Sequence, residues 1–498
     1  MKLNYKRTIL VGFAFFLISA FWQAYDAIVP LALTNHFGLP QSLSGVVMSV
    51  DNILAVFMLP LFGALSDKVM TRFGKRTPFI VIGTIAAVVA FFFLSVIDTV
   101  QLKAVLDAGI AERYQTAAEA LKTANAALKE AGKLGDEQAV AAARAVIEQV
   151  NATIEQIRVE TLDITLDNLW IVITFIGVLL LTLISMATFR SPAVALMPDV
   201  TIKPLRSKGN AIINLMGTAG GILVLVLGMI FGTSGNKYMQ YTGYVIAVVG
   251  IMLAGLTVFI LTVKERKWAK EMEDTTVALG LEEKAPEQTG QKRTLSRAEF
   301  RSLALILASV ALWYIGYNSI TSKYSVYATN VLFFDFNFTL IIAQAAAVIA
   351  YIPVGMVASK IGRRKTILAG IFMLASAFFM GNFISFSTPE IVMYPVFILA
   401  GIGWATINVN SVPMVVELAK GGEVGKYTGY YYTASMAAQI VAPILSGALY
   451  DAFGMRSMFF SFGTFFVVLS FVTMFFVKHG DSRPEQQGAL ESLGGADD

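Results

Sequence analysis

Apolar stretches long enough to cross a bilayer recur along this chain, with polar breaks between them. They fall at about 8–33, 43–66, 78–98, 168–190, 209–232 and 242–263, and again at about 303–328, 337–358, 366–386, 391–413, 428–449 and 456–477. A helix needs about 20 apolar residues to span the hydrocarbon layer. The pattern therefore predicts an all-α membrane protein with twelve spans: six, a polar stretch from Lys264 to Arg301, and six more. The first run, Thr8 to Leu33, is too long for a signal-peptide core and no small-residue cleavage site follows it, so it reads as a retained first span.

Residues 99–167 break this rhythm. The segment is Ala-rich and carries more acids than bases. Ile110, Tyr114, Ala117, Leu121, Ala124 and Leu128 step by fours and threes, and so do Val140, Ala143, Ile147, Val150, Ile154 and Ile157. These are two heptad seams, with Gly132 and Gly135 breaking the chain between them and Asp136 placed as an N-cap. They predict an antiparallel helical hairpin outside the membrane, either an insertion folded on itself or a dock for an extracellular partner. The expected organisation is 1–98 (spans 1–3), 99–167 (hairpin), 168–264 (spans 4–6), 265–300 (linker), 301–478 (spans 7–12) and 479–498 (tail).

Charge adds orientation. With the N-terminus inside, 27 of the 38 Lys and Arg residues fall in loops on the inner side, whereas the short outer loops hold only Lys237 and Arg456. Cytoplasmic loops carry such an excess, which puts both termini in the cytoplasm and the hairpin outside. Composition narrows the class. The chain is 56% hydrophobic and 14% charged, has no cysteine and only two histidines, His36 and His479. A soluble enzyme, a disordered chain and a nucleic-acid binder are excluded, and neither a disulfide nor a histidine metal centre is expected. No P-loop or other nucleotide site is present, so no cofactor is expected. The absence of a signal sequence and of cysteine points to a bacterial plasma membrane.

The chain also repeats itself. Arg72-Phe73-Gly74-Lys75-Arg76-Thr77 resembles Lys360-Ile361-Gly362-Arg363-Arg364-Lys365 at an offset of 288, and Ala187-Thr188 to Pro198-Asp199 resembles Ala405-Thr406 to Val416-Glu417 at an offset of 218. The offsets differ by 70 residues, about the length of the outer segment. Two related six-helix halves, the first interrupted by one insertion, place a binding site at the midplane between them.

Polar residues inside apolar runs are costly and mark function. Asp26 and Asp51 lie in the first two spans, on either side of the turn at about 34–42, at matched depths roughly 12–14 Å from the outer end. An acid there can take up and release a proton within a transport cycle, or share a sodium ion with its neighbour. Trp22, Tyr25 and Asp26 share a helical face with Gln23 beside them, and the repeat-related stretch carries Trp313, Tyr314, Tyr317 and Asn318. Asn52, Asn214, Gln344, Trp404 and Asn408 add amides and a ring. Aromatic faces and amides suit sugars, which present apolar ring faces and a rim of hydroxyls. Arg190 can pair with an acid or a substrate group, or extend toward the cytoplasm; Lys323 reads as a weaker candidate near the outer end of its span.

The loop after the second span is distinctive. Gly63 and Asp67 close the span; Arg72, Gly74, Arg76 and Pro78 follow; Asp199 and Arg206 stand seven residues apart after the fourth span. An acid before a Gly-centred basic turn makes a cytoplasmic latch. Gly63 to Pro78 resembles the signature loop of the major facilitator superfamily. Ser66-Asp67, Arg72-Phe73-Gly74, Arg76, Pro78-Phe79-Ile80, and Pro192, Ala195-Leu196 and Asp199 resemble the plant sucrose/proton symporters and the animal solute carrier 45 group. Those carriers have an acid in the middle of the fourth span, where this chain has Leu183-Ile184; acids in spans 1 and 2 look instead like the melibiose-type cation symporters. The resemblance implies a secondary transporter working by alternating access, with a sugar or glycoside as solute and a proton, or sodium, as coupling ion. A proton-driven efflux carrier for an amphipathic compound, and a sensor that uses the hairpin to bind a partner, are the rival readings.

Overall fold

The structure is a computed structural model that describes residues 3–278, 296–418 and 424–479. Most of the expected linker and tail, residues 279–295 and 480–498, lies outside the described residues. Among those described, twelve helices are long and apolar enough to cross a membrane. The first half supplies α1 (Tyr5–Leu31), α2 (Gln41–Lys68), α3 (Thr77–Asp107), α6 (Leu169–Val200), α7 (Arg206–Phe231) and α8 (Thr242–Thr262). The second supplies α10 (Arg297–Thr321), α12 (Phe336–Ile361), α13 (Arg363–Gly381), α14 (Met393–Val416), α15 (Val424–Phe453) and α16 (Met455–Phe475). Between α3 and α6 lie α4 (Ile110–Leu134) and α5 (Glu137–Asp167); α9 (Glu265–Ala278) and the short α11 (Tyr324–Tyr327) complete the set.

Several helices outrun their apolar runs. α3 continues to Asp107, past the expected end at 98, and α6 continues to Val200, past 190. A helix satisfies its own backbone groups, so it need not stop where the side chains turn polar. The first part of the polar stretch between the halves forms the helix α9. α1 runs into a wider turn at Ala32–His36, and the corresponding stretch of the second half repeats it at Ala328–Leu332.

Crossing alternately, the spans put the N-terminus and the α2–α3 turn on one face of the bundle, the termini face, and α4 and α5 on the other, the hairpin face. All twelve predicted seam residues of α4 and α5 are buried or half-buried. Gly135, at φ +69, ends α4, and the Asp136 side chain accepts from the Ala139 N–H at 2.9 Å. Gly132 lies inside α4, so only one of the two glycines expected to break the chain does so. Exposed Arg113 pairs with Glu160 across the two helices and holds that carboxyl below its usual range.

The halves meet chiefly through α2 with α15 and α7 with α12. At the hairpin face α2 and α15 touch backbone to backbone. A methyl group added at Gly45 would lie 2.1 Å from the Pro443 carbonyl oxygen, and one added at Gly447 would lie 2.4 Å from that of Gln41. Small residues permit this approach between helices in a membrane.

Candidate functional site

A cavity of about 1610 Å³ lies between the halves. Its wall carries Trp22, Gln23 and Asp26 of α1, Asn52 of α2, Arg190 of α6 and Asn214 of α7. The second half contributes Tyr314, Tyr317 and Asn318 of α10, Gln344 of α12, and Trp404 and Asn408 of α14. Two residues expected on this wall, and the second acid expected to take part in ion coupling, are not part of it. Tyr25 and Trp313 are buried in the helix packing, and Asp51 sits half-buried behind Asn52, whose Nδ2 donates to its Oδ1 at 2.8 Å. Neighbours in sequence are turned by about 100° on a helix, and here the turn puts Tyr25 and Trp313 on the packed side of α1 and α10.

The acids and bases still form one group. Asp26 is exposed to the cavity, within electrostatic reach of Asp51, and Asp51 in turn senses Arg190. The Arg190 guanidinium stands 5.7 Å from the centre of the Trp22 ring. Opposite them, Tyr317 and Trp404 stack with ring centres 3.8 Å apart and planes 9° from parallel, and Tyr314 meets Trp404 edge-on. Trp22 Nε1 and both side-chain polar atoms of Asn214 are buried without a hydrogen-bond partner. An unpaired polar group in such a site costs free energy until a ligand satisfies it. Gln344 Nε2 donates to Gln23 Oε1 at 2.6 Å and ties the halves together.

The cavity reaches Gly63, Asp67 and Pro198 near the termini face, and the hairpin face is closed above it. Closure there uses residues the sequence did not single out, or ranked low. Lys323 is fully buried and its Nζ donates to Ser44 Oγ at 2.6 Å. The Asp451 carboxylate of α15 accepts from the Gln41 and Ser42 backbone N–H groups, each at 2.8 Å, and so caps α2 from the other half. Asn330 Nδ2 donates to Asn35 Oδ1 at 2.7 Å.

On the termini face the latch loop closes on Arg76. Its Nε donates to Asp199 at 2.8 Å, its Nη2 to Asp67 at 2.5 Å, and its Nη1 to Ser66. Gly74 has φ +124, which an L side chain rarely adopts. Beside it Glu265, the first residue of α9, accepts from the N–H groups of Lys75, Arg76 and Thr77 and from the Thr77 hydroxyl, at 2.6–2.9 Å for its shortest contacts. Glu265 was missed; the one signal was an acid placed directly after the sixth apolar run. Two expected latch residues lie apart. The Arg72 guanidinium lies over the Phe73 ring, and Arg206 donates to the carbonyls of Thr201 and Pro198 rather than to Asp199. The second half repeats the theme with Arg363 and Glu417 paired at 2.7 Å.

The latch carries a prediction. Asp67→Asn removes one charge from the Arg76 cluster, which is formed while the cavity is open at the termini face, so the equilibrium should shift severalfold away from that open state, with solute affinity little changed. Cysteine-accessibility profiles read this directly, since the natural chain has no cysteine. An unchanged profile would refute the latch role.

Comparison with known proteins agrees with this architecture. The family model described as Major Facilitator Superfamily matches residues 327–494, and the one described as MFS/sugar transport protein matches residues 10–106. The MFS-type transporter ppzB of Metarhizium rileyi is 29% identical over 116 residues, 23% of each chain. The human Proton-associated sugar transporter A is 39% identical over 59 residues, 12% of this chain and 8% of that protein. These matches thus span a quarter or less of the curated relatives. The xylose transporter XylE from E. coli, in an inward-open conformation, superposes with a TM-score of 0.59 at 16% identity, over 98% of this chain and 99% of that one. The nucleoside transporter NupG superposes at 0.55 and 14% identity, over 94% and 98%. With one superfamily matched in both halves and its fold shared from end to end, the chain belongs to the major facilitator superfamily of membrane transporters.

Proposed function

We propose that the protein is a proton-coupled sugar symporter working by alternating access, with a disaccharide or glycoside as solute. The observation that carries this reading is Asp26, a carboxylate on the cavity wall one helical turn from Trp22, in a cavity that also carries Asn214 and a stacked Tyr317–Trp404 pair. Stacked rings offer an apolar platform for a sugar ring. The unpartnered Trp22 Nε1 and Asn214 amide supply donors and an acceptor for hydroxyls. The human relative's printed name and the sugar-transport family model point the same way. Asp26 and Asp51 within reach of one another also support a second reading, sodium held between two carboxylates. Uptake of labelled mono- and disaccharides into proteoliposomes, under an imposed proton or sodium gradient, decides. Saturation by sodium at constant pH selects the second reading, and no sugar uptake under either gradient rejects both.

The same reading places the chain in a bacterial plasma membrane, with the termini face in the cytoplasm and the hairpin outside, and the state described here is then inward-open. Lys237, in the loop before α8, offers a test of sidedness. Its ammonium lies 4.0 Å from the centre of the Tyr114 ring, and burial, aided by Arg158, brings its pKa down to about 8. The neutral amine is the nucleophile, so Lys237 should be acylated severalfold faster at pH 8 than an ordinary lysine near 10.4. A membrane-impermeant acylating reagent should reach it from outside intact cells. Protection of Lys237 there, with labelling of inverted vesicles, would reverse the orientation.

A further inference from the structure

We infer that the α4–α5 hairpin is a clasp that holds the hairpin face shut. This goes beyond the proposed symport: it rests on alternating access but not on the solute or the ion. The root of the hairpin is fixed to the first half. Gln101 Nε2 donates to Thr165 Oγ1 at 2.8 Å and to the His36 carbonyl at 3.0 Å, Thr165 Oγ1 donates to the Phe37 carbonyl at 3.0 Å, and Arg158 Nη1 donates to that of Gly38 at 2.9 Å. Leu102, Val105, Ile110, Tyr114, Ile157 and Tyr238 form a buried core around this root. The root therefore moves with α1, α3 and the turn that leads into α2.

Further out, α4 crosses the seam onto the second half. Lys122 Nζ stands 4.7 Å from the centre of the Phe333 ring, and Lys129 Nζ donates to the Ser387 carbonyl at 3.2 Å. The two lysines are seven residues apart, two helical turns, so they sit on one face of α4. Phe333 is the only non-glycine among the described residues with positive φ, +57, a conformation unfavourable for a residue that carries a Cβ. That backbone places its ring against the hairpin core as well as under Lys122. The same conformation closes the wider turn at Ala328–Leu332, whose Ala328 carbonyl accepts the Phe333 N–H, so the ring's place at the seam is fixed by the backbone.

When the hairpin face opens, a root attached to one half and a shaft resting on the other must separate. The Lys122 and Lys129 contacts belong to the closed state alone. Contacts made in only one of two states shift the equilibrium by their own free energy, and two exposed contacts of these kinds amount to roughly a tenfold bias. The hairpin thereby lowers the population of carriers open at that face without touching the solute site.

The test is a distance measurement. Spin labels at Asn236→Cys and Ser457→Cys report the gap across the hairpin face, one on each half. In the Lys122→Ala, Lys129→Ala variant the ratio of long-distance to short-distance populations should rise roughly tenfold. An unchanged ratio, or a shift toward closure, would overturn the clasp. The converse variant carries Lys129→Cys and Ser387→Cys joined by a short reducible bis-thiol linker. Hydrogen exchange in the facing ends of α2 and α15 should slow on bridging and recover with reductant. Exchange that ignores the bridge shows that the hairpin yields as the seam opens, and also overturns the proposal. Neither readout involves a sugar or an ion gradient, so failure here leaves the symport reading standing, and the reverse holds too.

Discussion

Asp26→Asn should abolish uphill accumulation of solute while leaving exchange of internal for external solute within severalfold of the wild type. A coupling group must exist in two charge states during the cycle, and an amide has only one. Asp26 is placed for this task because its carboxylate faces the cavity within electrostatic reach of Asp51, which in turn senses Arg190. A potential of about 100 mV is worth about 2.3 kcal/mol per charge moved. It supports roughly a fifty-fold gradient in a carrier that moves one charge with each solute. The variant should stop at about equal concentrations on both sides. Exchange survives because it needs no net release of the ion. Asp51→Asn, which alters a half-buried neighbour, should act more mildly. Accumulation at the wild-type level by Asp26→Asn in proteoliposomes would remove Asp26 from the coupling mechanism for either ion.

Asp451→Ala should open the hairpin face. The carboxylate accepts two backbone N–H groups at the start of α2, from the other half of the molecule. A helix N-cap is worth about 1 kcal/mol, and a negative charge at a helix N-terminus adds about 0.3–1 kcal/mol. Together these stabilise the closed seam by about 1.3–2 kcal/mol, a bias of roughly ten- to thirtyfold. Removal should therefore exceed the effect of losing the two lysine contacts of the hairpin, in the same spin-label measurement. Closed populations equal to the wild type would show that the α2–α15 contact is maintained by packing alone.

The twelve spans were legible because an apolar run of this length has few other destinies, and the helices α4 and α5 because their heptads sit in a segment too polar to be buried in lipid. Polar residues inside apolar runs also stood out: Trp22, Asp26, Asn214, Gln344 and Trp404 all reach the cavity. What could not be read was which of two adjacent residues faces inward, as Trp313 and Tyr25 show. Pairings between the halves were equally hidden. Lys323 and Ser44 are 279 residues apart, Asp451 and Gln41 are 410 apart, and no local pattern links them. Asp451 looked like an ordinary acid at the end of a span. Glu265 became meaningful only when α9 was seen to fold back against the Gly74 turn.

The backbone contact at Gly45 and Gly447 bears on how the carrier measures its solute. Two main chains that meet with no side chain between them give the closing motion a rigid stop, fixed by peptide geometry. The halves then reach the same separation at that end whichever molecule lies below. Discrimination between solutes falls to the softer parts of the wall, where the Gln23–Gln344 amides and the Tyr317–Trp404 rings can reorient. A seal set by main-chain contact at one end and a wall of side chains at the other leave tightness and fit to separate sets of residues.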